Sequence, residues 1–252
     1  MNDLTGQWAV VTGASKGIGA GIAAALVAEG AHVLLVARNE GDLVAAAEAL
    51  RAGARDDQEI RTQVADVADR DSVRALLEVV AGLPTLNVFV ANVGTGMLRP
   101  FLEVSEDDWD SIVGLNLTGT FLCVQGAARV MAGQPEGNKS IIVVSSIRGL
   151  GARPGVAPYA ATKAGLNQLA RVAAYELAPE GIRVNVLSPG ITATPLSMEH
   201  NPELLRERTV DVPMGRAGSP DDMAQAAVYL AGPGSGFVTG TNLVVDGGES
   251  LW

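Results

Sequence analysis

With 252 residues, 48% hydrophobic content and only 18% charged, the chain carries enough apolar matter to bury a sizeable core, as one large domain. Its net charge of −10 and pI near 4.7 exclude a nucleic-acid backbone or an anionic membrane as main partner, since both demand a basic face. Any phosphate must be held locally. The start, Met1-Asn-Asp-Leu-Thr5, has neither the basic opening nor the apolar run of a signal peptide. No apolar stretch reads as long enough to cross a bilayer, so a cytoplasmic location is expected. The one cysteine, Cys123, has no internal partner and lies in an apolar helical run, which reads as a core thiol rather than a nucleophile. No His/Cys cluster suggests a metal.

In chain order, short β-branched runs alternate with Ala-rich helical stretches. Trp8 to Thr12 and His32 to Ala37 read as strands, each followed by a helical stretch, Gly17 to Glu29 and Asp42 to Ala52. Further strand-like runs are Ile60 to Ala65, Leu86 to Ala91, Ser140 to Ser145, Arg183 to Ser188 and Asn242 to Val245, separated by helical segments around 69–81, 105–131, 156–177 and 219–230. Seven strands with helical crossovers imply an α/β fold with a doubly wound parallel sheet and helices on both faces. Ser105-Glu-Asp-Asp108 and Ser219-Pro-Asp-Asp222 place a hydroxyl cap three residues before an acid, marking two helix starts. The least regular region, 191–218, is broken by Pro195, Pro202, Pro213, Gly215 and Gly218. An excursion of that kind after a late strand is expected to serve as a substrate lid, the alternative being a plain surface loop.

The turn Thr12-Gly-Ala-Ser-Lys-Gly-Ile-Gly19 stands directly after a strand and opens a helix. Glycines at 13, 17 and 19 let the backbone turn tightly and approach a pyrophosphate, which would sit on the free N–H groups of the helix start, with Ser15, Lys16 and Ile18 between them. The second chemical stretch is Tyr159-Ala-Ala-Thr-Lys163, with Ser146 upstream. Its i, i+4 spacing stacks a phenol and an ammonium on one helix face. A phenol titrates near 10, so use as a base around neutral pH requires a neighbouring cation and a hydroxyl donor that favour the phenolate. Alone, the Tyr/Lys spacing is equally that of a solvated helix face.

The glycine spacing resembles the TGxxxGxG motif of the short-chain dehydrogenase/reductase family, and the resemblance runs through the whole chain. It implies a single-domain Rossmann fold. Asp66-Val67 matches the position that meets the adenine amine. Ala91-Asn-Val-Gly94 stands where the family has Asn-Asn-Ala-Gly, keeping only Asn92 and Gly94, so hydrogen bonds of the first asparagine must be absent or replaced. Asn116 fits the helix asparagine that helps hold a relay water. Ser146, Tyr159 and Lys163 complete the catalytic set. Pro189, Gly190, Thr192 and Thr194 resemble the segment beside the nicotinamide, and Val245-Asp-Gly-Gly248 the closing motif.

The chemistry implied is hydride transfer between a nicotinamide and a carbonyl or alcohol, in which charge grows on oxygen and a proton must be delivered. Tyr159 gives the proton, Ser146 orients the oxygen, and Lys163 lowers the phenol and touches the ribose. After the second strand the chain has Ala37 where an NAD enzyme of this fold has an acid. Arg38 and Lys16 are placed to meet a 2′-phosphate, so NADP(H) is the expected cofactor, with NAD(H) possible through Asn39 or Glu40. Oxidation of an alcohol or sugar with NAD, and a nucleotide-binding sensor without turnover, remain alternatives. Met97, Leu98, Ile147, Leu150, Leu196 and Met198 are expected to edge the substrate pocket, with Arg148, Arg153 and His200 either anion partners or ordinary loop charges. Apolar residues on a second face of 105–131 and 156–177, such as Val172 and Tyr175, need a partner, and the resemblance implies a homotetramer. The end, Glu249 to Trp252, is expected either to dock on a neighbour or to hang free.

Overall fold

The computed structural model describes residues 3–195 and 202–251. Seven strands form one parallel sheet in the order β3-β2-β1-β4-β5-β6-β7: β1 (Trp8–Thr12), β2 (His32–Ala37), β3 (Ile60–Val64), β4 (Val88–Ala91), β5 (Lys139–Val144), β6 (Ile182–Pro189) and β7 (Asn242–Val245). The chain reverses its direction of travel at β1, which pairs with both β2 and β4. In open α/β sheets the crevice at that switch, beyond the carboxyl ends of the strands, is where ligands bind. β1, β4, β5 and β6 are buried along their whole length, which explains why apolar residues dominate them: helices cover both faces of a parallel sheet, and polar residues within them such as Ser140 and Asn185 bond to backbone carbonyls. β3, at an edge, exposes Arg61, Thr62 and Val64 and reads accordingly as a weaker run.

On one face, α1 (Gly17–Ala28), α2 (Glu40–Arg51) and α8 (Pro220–Ala231) pack through Ile22, Leu26, Leu43, Met223 and Leu230. On the other, α3 (Arg70–Ala81), α5 (Thr120–Ala132) and α6 (Ala157–Leu177) cover Phe89, Ile141 and Val184 with Leu76, Met131 and Leu166. Each such side chain contributes about 1.5–3 kcal/mol by leaving water. Small residues set the approach: a Cβ on Gly21 of α1 would lie 2.9 Å from Pro220 of α8. Both capping boxes form, Ser105 with Asp108 and Ser219 with Asp222, and the second carboxylate also takes a forked bond from Arg216 at 2.7 and 2.8 Å.

Two departures from the sequence reading bear on the site. The helical stretch 105–131 is not one α-helix: α4 (Glu106–Val113) passes through a π-helical turn, Gly114–Gly119, before α5. Such turns concentrate at functional positions, and this one contains Asn116. By length and composition Glu106–Ala132 is apolar enough to span a bilayer, contrary to expectation, but Cys123, Val124, Ala127 and Met131 place it in the core of the domain.

The excursion after β6 is pinned at its base, where Thr192 bridges Gly218 and Gly218 N donates to Ile191 O at 2.9 Å. It contains α7 (Pro202–Thr209) and returns through Val212, which is buried. Gly247 and Gly248, both in the left-handed region at φ 63° and 90°, lie under it. A Cβ on either would meet Val212 or Pro213 within 2.9 Å. The closing Asp-Gly-Gly turn is therefore the seat on which the returning arm rests. Leu196, Met198, His200 and Trp252 lie outside the described residues.

Candidate active site

A cleft of about 1120 Å³ opens at the carboxyl ends of the strands around the switch point, larger than a typical drug-sized pocket and sufficient for a dinucleotide with a small co-substrate. One end is built by the β1–α1 turn. Gly13 and Gly17 lie at φ 65° and 59°, a region costly for any other residue. Gly19 is required for another reason: its Cβ would sit 2.2 Å from Gly13 O and 2.5 Å from Asn92 Nδ2. Asn92 Nδ2 donates to Thr12 O at 2.9 Å and Gly13 O at 3.3 Å, while Asn92 N donates to Thr12 Oγ1 at 3.0 Å. With Ala91 in place of a first asparagine, β4 is thus tied to β1 through Asn92 and Thr12. The start of α1 has no side-chain cap and no acid in its first turn, so its first N–H groups and the positive end of the helix face the cleft. That is the cradle a pyrophosphate fits.

Of the expected cofactor contacts, Gly13, Ser15, Lys16, Gly17, Ile18, Arg38, Val67, Asn92, Gly94, Pro189, Gly190, Thr192 and Thr194 line the cleft. Gly19 and Asp66 do not. Gly19 stands behind the turn, and Asp66 bends back to accept Ala68 N at 2.9 Å and faces Arg38 at 3.8 Å. Lys16 pairs with Asp42 at 2.9 Å, and Asn39 caps α2 by accepting Asp42 N. Asp42 was not singled out in the sequence, because its local signal is that of a first-turn helix acid.

At the other end, β5 delivers Ser146 and the first turns of α6 deliver Tyr159 and Lys163. Ser146 starts the short 3₁₀ turn Ile147–Gly149, accepting Arg148 N at 3.1 Å, and its hydroxyl bonds the Tyr159 phenol. Burial pushes that phenol above its ordinary value of 10.0, against which the Ser146 bond and the Arg148 charge pull it down. The sequence reading assigned the lowering to Lys163. Lys163 Nζ lies 5.7 Å from the Tyr159 ring centroid and donates to Val144 O at 2.8 Å, and burial holds the ammonium down at about 8. Gly94 is small because a Cβ there would lie 3.1 Å from Lys163 Nζ and 3.4 Å from Asn116 Oδ1.

Asn116 is fully buried and off the cleft wall. Its Oδ1 accepts Thr95 N at 2.9 Å, and its amide donates to Thr95 O at 2.9 Å and Thr162 Oγ1 at 3.3 Å. Both amide protons are spent, so the side chain is not the donor for a relay water. It clamps the loop after β4 to α6, one turn from Tyr159.

The substrate end is walled by Met97, Leu98, Ile147 and Val156, with Arg148 and Arg153 also on the lining. Leu150 is 54% exposed and turned away from the cleft. A residue that sequence reasoning missed joins this end. The Glu249 carboxylate, its side chain 5% exposed, pairs with Arg148 and accepts Ile191 N at 2.8 Å. It binds the chain terminus, the serine turn and the loop after β6 together. Arg148 and Glu249 are 101 residues apart, and no local pattern announces the contact.

Comparison with known proteins agrees with this geometry. The profile of the family described as Enoyl-(Acyl carrier protein) reductase matches residues 13–250. The chain is 35% identical over 253 residues to 2,5-dichloro-2,5-cyclohexadiene-1,4-diol dehydrogenase LinX of Sphingobium indicum, covering 99% of this chain and 98% of that one. It is 36% identical to a galactitol 2-dehydrogenase (L-tagatose-forming) of Cereibacter sphaeroides, at 99% and 97% coverage. Among solved structures, a putative NAD(P) dependent gluconate 5-dehydrogenase from Beutenbergia cavernae with bound NADP superposes with a TM-score of 0.92 at 32% identity, over 99% of both chains. Fold, site and relatives define an NAD(P)-dependent oxidoreductase acting on alcohol or carbonyl groups. The chain belongs to the short-chain dehydrogenase/reductase family.

Proposed function

We propose that the protein interconverts a ketone and a secondary alcohol with NADP(H), using Tyr159 as acid and base. The observation that carries the reading is one cleft with the glycine cradle and Arg38 at one end and Ser146, Tyr159 and Lys163 at the other. When bound, the nicotinamide supplies or accepts the hydride. Tyr159 delivers the proton to the substrate oxygen, and Ser146 donates a hydrogen bond to the charge that develops there. Lys163, pinned by Val144 O, is the cation beside the ribose and the phenol. Arg148 adds a positive charge that favours the phenolate. In the oxidative direction Tyr159 takes the proton. Asn116 is a positioning residue for this set.

The preference for NADP(H) rests on Ala37 and Arg38. Ala37 stands at the end of β2 in place of a carboxylate, and Arg38 presents a planar fork to a 2′-phosphate. Lys16 brings its own counter-charge in Asp42, so Arg38 carries most of the effect. Asp42 also favours a second reading, NAD-dependent oxidation of an alcohol or sugar, because it puts one carboxylate on the wall at that end of the cleft. The galactitol dehydrogenase resemblance supports that second reading, and the NADP in the Beutenbergia structure supports the first.

The same reading makes the protein a homotetramer. Exposed apolar side chains on two groups of elements support it: Trp109, Phe121, Val172 and Tyr175 on α4, α5 and α6, and Tyr229, Phe237 and Val244 on α8, on the segment after it and on the edge strand β7. Two isologous contacts generate a closed tetramer. The arm 191–218 acts as the substrate lid within the single domain. A cytoplasmic setting, expected from the sequence, belongs to the same proposal.

The test is NADPH oxidation, followed by absorbance, with a panel of ketones, and the reverse reaction with alcohols and sugars. Tyr159→Phe is expected to lower kcat by about 10²-fold or more while NADPH binding persists. A phenylalanine variant with most of the wild-type rate refutes the assignment, and absence of turnover with every substrate leaves the sensor reading. Ala37→Asp with Arg38→Ala is expected to reverse the cofactor ratio; a wild type with higher kcat/KM for NAD(H) overturns the preference.

A further inference from the structure

The cleft is basic although the protein is acidic. Its lining holds five cations, Lys16, Arg38, Arg148, Arg153 and Lys163, against two carboxylates, Asp42 and Glu249, on a chain with net charge −10. Each carboxylate is already engaged: Asp42 by Lys16 and Glu249 by Arg148. At the phosphate end Arg38, with Asp66 3.8 Å away and off the lining, is the cation that the proposed cofactor meets. Lys163 is 3% exposed and spends its ammonium on Val144 O. One cation is unaccounted for. Arg153 is half-buried on the lining, and among the described residues no carboxylate lies within ion-pair distance of it and no acceptor takes its N–H groups.

Its place in the fold is fixed. Arg153 lies between the serine turn and Tyr159, two residues before Gly155, whose φ is 81°. Gly155 O accepts Arg99 N at 2.8 Å, and a Cβ on Gly155 would lie 2.7 Å from Leu98. The loop is thus packed on the segment after β4 and cannot swing away from the wall formed by Leu98 and Val156. Water still reaches this guanidinium, so a ligand anion entering the cleft can meet it without first breaking an ion pair. Arg148 cannot take that part, since Glu249 occupies it.

Resting on the oxidoreductase reading above, we infer that the substrate carries an anionic group, a carboxylate in the simplest case, which Arg153 receives while its carbonyl or hydroxyl lies at Tyr159. Met97, Leu98, Ile147 and Val156 enclose the carbon skeleton between the two.

The experiment pairs 2-, 3- and 4-oxo carboxylates (pyruvate, acetoacetate, levulinate) with their methyl esters. Binding of each to the protein saturated with NADP⁺ is read by thermal shift and by calorimetric titration, without turnover. At least one acid is expected to bind roughly tenfold or more tightly than its ester, as a charge-assisted contact implies. That ratio should collapse in Arg153→Gln, return in part in Arg153→Lys, and fall with added salt. Equal binding of acid and ester, or an acid preference that survives in Arg153→Gln, overturns the inference. Turnover of neutral ketones with NADPH, measured in parallel, reports on the oxidoreductase reading alone, so the two can fail separately.

Discussion

Glu249→Ala removes two bonds at once, the ion pair to Arg148 and the acceptor for Ile191 N. Breaking a fully buried pair by deleting one partner costs about 3–5 kcal/mol, mostly through the stranded charge. Arg148 keeps 20% of its side chain in water, which places this site at the low end of that range. The orphaned N–H of Ile191 adds a desolvation cost on the order of 1 kcal/mol. The total, roughly 4 kcal/mol, corresponds to a Tm lowered by about 10 °C for a chain of this size. Glu249→Gln, which keeps an acceptor for Ile191, should lose less.

Activity separates electrostatics from architecture. Arg148 favours the Tyr159 phenolate, and Glu249 neutralises Arg148. Glu249→Gln should therefore move the tyrosine limb of the pH–rate profile to lower pH, whereas Arg148→Met should move it to higher pH. The double variant should lie near the wild type. Melting curves in saturating NADPH and kcat against pH for the three variants decide it. A Tm of Glu249→Ala within 2 °C or so of wild type, or profiles of both single variants moving the same way, would refute the coupling.

Gly19→Ala pushes a methyl into Gly13 O, a backbone atom with nowhere to go; it should cost about 1–3 kcal/mol and weaken NADPH binding, read by fluorescence titration, by tenfold or more. Lys163 carries a stability cost of its own: burial lowers it from 10.5 to about 8. The cost is therefore present in full below pH 8 and relieved as pH rises towards 10.5, where the unfolded chain also loses the proton. Lys163→Met removes that charge cost, on the order of 3 kcal/mol at pH 7, but strands Val144 O at about 1–3 kcal/mol, so its stability relative to wild type should be higher at pH 7 than above pH 10; a difference that ignores pH, or runs the other way, rejects this. Light scattering at micromolar concentration should give a tetramer mass, and Tyr175→Glu with Val172→Glu should reduce it; a wild-type monomer would reject the assembly.

What could be read in advance follows from the range of each interaction. The sheet was legible because buried parallel strands leave β-branched runs, and the cradle because three glycines directly after a strand have few other uses. Both are local. The π turn at Gly114–Gly119 was not legible: its periodicity differs too little from an α-helix, and the close approach of its Gly119 to Val67 O, which a Cβ would meet at 2.2 Å, is a contact distant in sequence. Asn116 was found by its type, but its bonds to Thr95 and Thr162 depend on a contact with α6. Glu249 had no signal at all, since a glutamate after two glycines near a chain end reads as a solvated tail. The pocket wall was half legible, Ile147 and Leu98 on it and Leu150 off it, because a 3₁₀ turn of three residues decides which side chain faces inward.

The charge pattern explains how an acidic protein holds a polyanion. At physiological ionic strength the field of surface carboxylates decays over about 8 Å, so an anion inside the cleft is governed by the side chains it touches. Those side chains have been sorted by pairing. Asp42 pairs with Lys16 and Glu249 with Arg148, so on the proposed readings Arg38, with Asp66 3.8 Å away, would meet a 2′-phosphate and Arg153 a substrate anion. Removing either carboxylate would return a second cation to its end of the cleft. On the proposed readings the two acids would act as selectivity elements: Asp42 would limit how strongly the phosphate end favours NADP, and Glu249 would confine anion recognition to Arg153, away from the oxygen assigned to Tyr159 and Ser146.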